Sequence, residues 1–161
     1  MLFISPIFAC SCNDNNTDKD TEYKVTNVNV PANLQYTVLN MFPHDTAAFT
    51  QGLIVYEGKL LEGTGAAEPY TSSLRLYDIS SGKIEKKVEQ GREFFGEGIT
   101  IFNNKLYQLT WKDRKIFVYD PQSLKKLAEY PWEKPEGWGI THNDTSLIVS
   151  DGTSNIYLVD P

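Results

Sequence analysis

An internal repeat beginning near residue 50 limits the fold of this chain more than any other feature. Three segments start with a polar or aromatic residue, then glycine, then an apolar residue: Gln51-Gly52-Leu53, Glu97-Gly98-Ile99 and Trp138-Gly139-Ile140. The glycines are 46 and then 41 residues apart. A second apolar run begins with a leucine eight residues after each glycine, at Leu60, Leu106 and Leu147. A third apolar run in each repeat ends in an aspartate, at Asp78, Asp120 and Asp160.

Four short strands in each repeat are typical of a β-propeller blade. A fourth run follows in the first two repeats, over 84–88 and 124–130. A period in the forties fits a blade, whereas a helical solenoid needs apolar faces at a 3.6-residue period. A β-sandwich would not repeat the glycine at matched offsets. The sequence therefore predicts an all-β fold of four-stranded blades over residues 23–161.

The third repeat ends before its fourth strand, so about three blades are expected within these 161 residues. Three unclosed blades leave sheet faces exposed, and the chain is therefore expected to be an incomplete propeller. Residues 23–30 and 34–40 alternate like strands. The second segment is a candidate for the outer strand of the last blade, and this ring closure requires further blades.

The N-terminus carries a pattern typical of export. The apolar run 2–9 is too short to span a bilayer, and Ile7-Phe8-Ala9-Cys10 resembles a bacterial lipobox. We expect residues 1–10 to be a partial signal peptide, although no Lys or Arg precedes the run. Cys10 would be acylated, with Cys12 the weaker candidate, and the polar residues 11–22 would form a tether. This reading predicts an exported bacterial lipoprotein on the periplasmic side of a membrane or on the cell surface. The alternative is a disordered, mildly apolar N-terminus.

Charge and ligand spacing exclude several classes of partner. The net charge is −6 and the pI about 4.9, so a nucleic acid would be repelled. Neither cysteine nor either histidine stands at metal-ligand spacing, so no metal or cofactor is expected. Segment 62–65, Glu-Gly-Thr-Gly, lacks the lysine and the helix of a phosphate loop. Pro43-His44-Asp45 fits a turn capped by aspartate better than an interaction site.

Gln51, Glu97 and Trp138 occupy equivalent positions in the three repeats. The first strand of each blade lines the central channel, so these three side chains are expected to converge at one mouth of it. Glu97 lies between glycines and close to Phe95, where loss of solvent would raise its pKa and suit it to proton transfer. The alternative is an ordinary glutamate hydrogen-bonded to nearby backbone.

Trp111 occupies a position at which the other two repeats carry Gly65 and Gly152. A large aromatic at this point suggests a pocket wall, with Trp138 as the facing wall. Either indole could instead pack between blades, and Trp132 is expected to do so.

Six motifs, taken in order and spacing, resemble the plant and bacterial glutaminyl-peptide cyclotransferases. They are Phe42-Pro43-His44-Asp45, Phe49-Thr50-Gln51-Gly52-Leu53, Glu62-Gly63-Thr64-Gly65, Gly96-Glu97-Gly98-Ile99-Thr100, Leu109-Thr110-Trp111-Lys112 and Glu136-Gly137-Trp138-Gly139. The resemblance implies a five-bladed propeller that converts the N-terminal glutamine of a peptide or protein to pyroglutamate and releases ammonia. It also implies a metal-independent acyltransferase, unlike the zinc-dependent animal enzymes, and a monomer when complete.

The same resemblance assigns roles to six residues. Glu97 would be the general acid and base, and Gln51 would hydrogen-bond the substrate. The substrate side chain would be enclosed by Phe49, Phe95, Trp111 and Trp138. Later blades of the family add an Asn, another Trp and a Lys to the pocket, so this fragment alone is expected to be inactive.

Two rival functions are considered. One is a non-catalytic propeller that displays a binding surface on a lipid anchor, since fold does not fix function. The other is a lactonase-like hydrolase with a metal ion in the channel. That chemistry needs several acidic or asparagine ligands where this chain has Gln51, Glu97 and Trp138.

Overall fold

The computed structural model of the protein describes residues 32–66 and 71–161. Residues 38–161 belong to one unit of mutual contacts. The predicted signal peptide with Cys10 and Cys12, the predicted tether 11–22 and the predicted strand 23–30 lie outside the described residues. None of the described residues belongs to a helix of the length and hydropathy needed to cross a membrane.

The described chain forms three antiparallel sheets, in which each strand pairs with its neighbours in sequence. The first sheet contains β1 (Thr50–Tyr56), β2 (Lys59–Thr64), β3 (Ser73–Tyr77) and β4 (Ile84–Glu89). The second contains β5 (Gly96–Phe102), β6 (Lys105–Thr110), β7 (Lys115–Tyr119) and β8 (Lys126–Pro131). The third contains β9 (Ile140–His142), β10 (Leu147–Ser150) and β11 (Ile156–Val159). Each sequence repeat therefore corresponds to one sheet.

Turn residues explain where the strands end. Glu57-Gly58 and Asn103-Asn104 all have positive φ, which gives tight hairpins between the first two strands of a sheet. The Asp78 carboxylate accepts a hydrogen bond from the Ser81 amide at 2.9 Å, and Asp120 accepts the equivalent bond from Ser123 at 2.7 Å. The aspartates that end the third runs of the first two repeats are therefore turn residues.

The fourth strand of the second sheet starts later than the sequence predicts. The apolar run suggests a strand from Leu124, but this residue lies in the turn with a φ of 57° and β8 begins at Lys126. The Leu124 side chain is only 1% exposed and packs with Phe117 and Tyr119. The apolar side chain of Leu124 is therefore explained by its burial beneath the turn and does not indicate a strand.

The sheets pack face to face around two apolar clusters. Between the first and second sheets lie Leu61, Leu74, Leu76, Ile99, Leu106, Phe117, Tyr119 and Leu124. Between the second and third lie Phe102, Tyr107, Leu109, Ile116, Val118, Trp132, Ile140, Leu147 and Val149. The second sheet buries both of its faces because alternate residues point to opposite sides. Trp132 is 6% exposed within the second cluster, which confirms its predicted packing role.

The repeated glycine lets the first strands of neighbouring sheets touch. The Gly98 amide donates to the Trp138 carbonyl at 2.9 Å. A Cβ on Gly98 would lie 2.7 Å from that carbonyl oxygen, and a Cβ on Gly52 would lie 2.6 Å from the Ile99 nitrogen. Close approach of backbones, with no left-handed conformation, is therefore what excludes a side chain at these two positions.

Residues 34–40 do not form a strand in the described chain. Alternation of apolar residues produces a strand only when a neighbour pairs with its N–H and C=O groups. The side chains of Leu34 and Tyr36 are each 89% exposed. A ring-closing strand at 34–40 requires a partner strand in a further blade, so it stays a prediction.

We expect Gly98→Ala to destabilise the fold. The added methyl group would push against the Trp138 carbonyl and the Ile140 nitrogen and disturb the hydrogen bond between the sheets. A loss of about 1–3 kcal/mol in unfolding free energy is expected for such overpacking, measured by urea denaturation. Gly91→Ala is the control, because the atoms nearest to a Cβ there belong to the flexible Glu93 carboxylate at an exposed site. Equal stability of Gly98→Ala and Gly91→Ala would refute the close-approach explanation.

Candidate active site

Glu97 is the second residue of β5 and lies at an irregularity in the sheet. Pairing between β5 and β6 shifts register between Gly96 and Ile99. The pairing of β1 with β2 shifts at the equivalent place, between Thr50 and Gly52, where Gln51 lies. Bulges of this kind re-aim side chains and are frequent beside active sites. Equivalent irregularities therefore present Gln51 and Glu97 at the start of their strands.

Burial brings the pKa of Glu97 close to neutral pH. Only 9% of the residue is exposed. Loss of solvent, and then the negative charge of Glu136, raise its pKa to about 7. No hydrogen bond from another described residue contributes to this shift. Glu97 therefore does not fit the alternative of a glutamate held by nearby backbone.

Glu136 is a second carboxylate with the opposite electrostatic environment. Its Oε2 accepts hydrogen bonds from the indole nitrogens of Trp138 at 2.8 Å and Trp111 at 3.0 Å. The Lys112 ammonium lies 3.7 Å from its Oε1. The two indole donors and then Lys112 lower the pKa of Glu136. At neutral pH Glu136 is therefore ionised, whereas Glu97 is close to its own pKa.

The predicted aromatic wall residues form a continuous row. The ring centroid of Phe95 lies 6.1 Å from that of Phe49 and 5.6 Å from that of Trp111, both in edge-to-face arrangements. Trp138 joins Trp111 through their shared acceptor, Glu136. Phe49 is 51% and Trp138 47% exposed, so their rings are open to a ligand.

Glycine is required opposite one of these walls. A Cβ on Gly152 would lie 2.8 Å from the Trp138 indole nitrogen, and its φ is +79°. Trp111, at the equivalent position of the second repeat, instead contributes a wall of its own. Gly152 in the third repeat therefore leaves space for the Trp138 indole, whereas the second repeat has the Trp111 indole at the equivalent position.

The structure places Gln51 in β1, one residue before the glycine that touches Ile99 of β5. Its side chain is half-buried, and no hydrogen bond joins it to another described residue. Phe49, Phe95 and Trp111 are joined by edge-to-face contacts, and Trp111 and Trp138 share the acceptor Glu136. Glu97 is linked to this group through the charge of Glu136. Contact between the Gln51 side chain and a substrate stays a prediction.

Two residues of the site, Glu136 and Asp113, cannot be found from their sequence positions taken singly. Glu136 was visible only as part of a motif, although an acid two residues before a predicted wall tryptophan is a usable signal. Asp113 accepts the Phe95 amide at 2.9 Å and so fixes the backbone next to Glu97. Nothing in the local sequence around Asp113 points to this role.

The remaining polar residues near the start of β1 have a structural role. Asp45 accepts the Ala47 amide at 3.0 Å and pairs with Arg75 at 2.8 Å, as expected for a capped turn. His44 donates to Glu62, which is fully buried within β2 and is not part of a loop. Within 32–66 and 71–161, no group of three His, Cys, Asp or Glu side chains is arranged to hold a metal ion.

Comparison with known proteins gives consistent matches. Residues 7–161 match the family described as glutamine cyclotransferase. The chain is 39% identical over 126 residues to a glutaminyl-peptide cyclotransferase of Arabidopsis thaliana, an alignment covering 77% of this chain and 38% of the relative.

Solved structures agree with the sequence matches. The crystal structure of Myxococcus xanthus glutaminyl cyclase has a TM-score of 0.66 and 29% identity, covering 74% of this chain and 49% of that one. The WD40 repeats of RRP9 have a TM-score of 0.52 at 12% identity, covering 73% of this chain and 40% of that one, which shows likeness of fold alone. Taken with the antiparallel sheets, these matches make the fold propeller-like. The chain spans less than half the length of the Arabidopsis and Myxococcus proteins.

Replacing Glu97 by glutamine should change how stability depends on pH. Between pH 4.5 and about 7 the folded protein keeps a proton on Glu97 that the unfolded chain has released. The wild type therefore loses stability as pH rises through this interval, whereas Glu97→Gln does not. The stability of the variant relative to wild type should increase by about 2–3 kcal/mol between about pH 4 and about pH 8, measured by urea denaturation.

Asp78→Asn provides a control with the opposite sign. Hydrogen bonds from Ser80 and Ser81 lower the pKa of Asp78 to about 2. Its contribution to stability is present above pH 3.8 and is lost as pH falls through about 2. Asp78→Asn should therefore lose stability relative to wild type as pH rises. A pH-independent effect of Glu97→Gln would contradict the raised pKa of Glu97.

Proposed function

The chain belongs to the glutamine cyclotransferase family, and on this basis we propose that the protein cyclises the N-terminal glutamine of peptides or proteins to pyroglutamate, with release of ammonia. The observation that carries the proposal is the buried Glu97, flanked by glycines and with a pKa raised to about 7. A general acid and base works best when its pKa lies near the working pH.

The first step joins the two ends of the glutamine residue. The α-amine nitrogen attacks the carbon of the side-chain carboxamide and forms the ring bond, and the carbonyl π electrons move to oxygen. Ionised Glu97 accepts the proton that the amine nitrogen loses. Because an α-amine has a pKa of about 8, a base with a pKa near 7 can accept this proton at small cost.

The second step expels ammonia. The oxyanion re-forms the carbonyl, and the bond between carbon and the former amide nitrogen breaks. Glu97, now protonated, delivers its proton to the leaving nitrogen and returns to the carboxylate. One group thus serves as base and then acid, which a pKa near neutrality permits in both directions.

Enclosure by aromatic rings brings the reacting atoms together. The row of Phe49, Phe95 and Trp111, with Trp138, offers apolar faces to the methylene groups of the substrate. Because the amine and the carboxamide already belong to one residue, holding them together mainly saves the entropy of the side-chain rotations, about 1.5–2 kcal/mol. Gln51 would fix the orientation by hydrogen bonding to the substrate.

We further propose that the complete site belongs to a closed, monomeric five-bladed propeller. Apolar side chains on the outer faces of the first and third sheets are exposed: Leu53 and Val55 at 52% and 70%, Ile156 and Leu158 at 64% and 69%. Equivalent faces elsewhere in the fold are buried. Further blades would cover these faces and complete the pocket, and the 161 residues alone would then be inactive.

We expect the full-length protein to release ammonia from a peptide that begins with glutamine, with and without a chelator. The kcat/KM should rise as pH increases through about 7, where Glu97 becomes ionised. Glu97→Gln should lower kcat/KM by about 10²–10⁴-fold, the usual contribution of a general acid and base. Glu93→Gln, at an exposed position nearby, is the matched control.

The outcomes separate the candidate functions. Full activity of Glu97→Gln would remove Glu97 from the mechanism. Loss of activity with the chelator, restored by added metal, would favour the lactonase-like or another metal-dependent reaction. A folded wild type that turns over no such peptide would favour a non-catalytic binding propeller.

We also propose that the protein is exported and held by a lipid on Cys10, on the periplasmic side of a membrane or at the cell surface. The support is the lipobox-like sequence before this residue and the polar stretch 11–22 after it. When the full-length protein is expressed with its own N-terminus in bacteria, Cys10→Ser should move it from the membrane fraction to the soluble fraction. Cys12→Ser should leave it in the membrane fraction. The reverse pattern would assign the lipid to Cys12. A double variant, Cys10→Ser with Cys12→Ser, that stays in the membrane fraction would exclude the anchor.

A further inference from the structure

Every tryptophan in the chain donates its indole N–H to one residue, Glu136. The chain has three tryptophans. Trp111 and Trp138 bond to the same carboxylate oxygen, Oε2, at 3.0 and 2.8 Å. Trp132 bonds to the Glu136 backbone carbonyl at 2.7 Å. Glu136, which lies between β8 and β9, therefore accepts hydrogen bonds from both wall indoles and from the Trp132 indole that is buried between the sheets.

The backbone around Glu136 is fixed independently of its side chain. The amide of Gly137 donates to the Trp111 carbonyl at 2.8 Å. A Cβ at Gly137 would lie 2.6 Å from the Thr110 carbonyl oxygen, so the segment is pressed against the end of β6. The Glu136 carboxylate is thus held from a rigid base, as a residue that orients its neighbours must be.

We propose that Glu136 is the positioning residue of this site: its carboxylate fixes the Trp111 and Trp138 indoles as converging walls and adds a negative charge to the site that contains Glu97. This inference rests on the proposed cyclisation, because it specifies how the walls and the acid–base group of that site are held.

Sharing one acceptor atom constrains both walls at once. The Trp111 and Trp138 N–H groups both donate to one oxygen of Glu136, so neither ring can turn without losing its hydrogen bond. Hydrogen bonds to a charged acceptor are also stronger than neutral ones. Because both N–H groups are used in this way, the indoles present only ring faces and edges to a substrate. Polar recognition of the carboxamide must then come from other groups, such as Gln51.

The charge of Glu136 also influences Glu97. A negative neighbour favours the protonated form of a carboxyl group, and Glu136 is the charged residue that raises the pKa of Glu97 in addition to burial. Lys112, 3.7 Å from Glu136 and 3.9 Å above the Trp111 ring, offsets part of that charge. Neutralising Glu136 should therefore lower the pKa of Glu97 while leaving the larger effect of burial.

The test compares Glu136→Gln and Glu136→Ala with Glu133→Gln in the full-length protein. Glu136→Gln retains an oxygen acceptor and removes the charge, whereas Glu136→Ala removes both. Glu133→Gln makes the same charge change in the same segment, at an exposed residue. For each variant, the indole N–H resonances assigned to Trp111, Trp132 and Trp138 in a ¹⁵N NMR spectrum and the titration of Glu97 are measured.

In Glu136→Gln the resonances of Trp111 and Trp138 should move, while that of Trp132 should move little because its acceptor is a backbone carbonyl. The pKa of Glu97 should fall in this variant and stay unchanged in Glu133→Gln. If Glu136→Ala does not fold, Glu136→Gln alone decides these points. Unmoved indole resonances, or an unmoved Glu97 titration, would overturn the proposal.

Kinetics then connect the positioning role to the reaction. Glu136→Gln should shift the acidic limb of the kcat/KM profile to lower pH, and Glu136→Ala should lower kcat/KM by about 10- to 100-fold. Wild-type activity in Glu136→Ala would also refute the role. If the wild type itself cyclises no glutamine, the proposed function fails, while the NMR measurements still decide whether Glu136 positions the indoles and charges the site.

Discussion

Backbone contact between the first strands of neighbouring sheets is the constraint on which the rest of the structure depends. Gly98 hydrogen-bonds to Trp138, and Gly52 approaches Ile99 so closely that neither glycine has room for a side chain. Sheets that touch along their first strands must spread apart toward their later strands, which is the radial arrangement of propeller blades. The same contact brings the starts of β1, β5 and β9 together, and the candidate site lies there.

The carboxyl groups of Glu97 and Glu136 have opposite pKa shifts because their surroundings differ. Glu97 is shielded from water and receives no hydrogen bond from the described residues. Its pKa is therefore raised to about 7, and it keeps its proton up to about that pH. Glu136 is compensated by two indole donors and Lys112, so it stays charged. Environments that separate the pKa values of two acids in one site suit them to different roles, and here they leave Glu97 near its pKa and Glu136 charged at neutral pH.

Much of the fold and part of the site could be predicted because the repeat encodes them locally. Alternating runs and hairpin turns such as Asn103-Asn104 depend on near neighbours, so strand order followed directly. Leu124 was misread because a buried turn residue has the same hydrophobicity as a strand residue. The predicted strand at 34–40 depends on pairing with a distant partner in a further blade, which local sequence cannot supply. Glu136 was missed because its indole partners, Trp111 and Trp138, lie on different sheets.

The sequence by itself determined the period of the repeat, the glycine at each first strand and the presence of one glutamate among equivalent positions. These are properties of residue order, and they are enough to place Gln51, Glu97 and Trp138 at the same end of successive sheets. Only the tertiary structure decided why the glycine is needed, how far Glu97 is buried and which residue receives the three indoles. Those properties arise from distances between sheets, and such distances exist only after residues far apart in the chain have packed together.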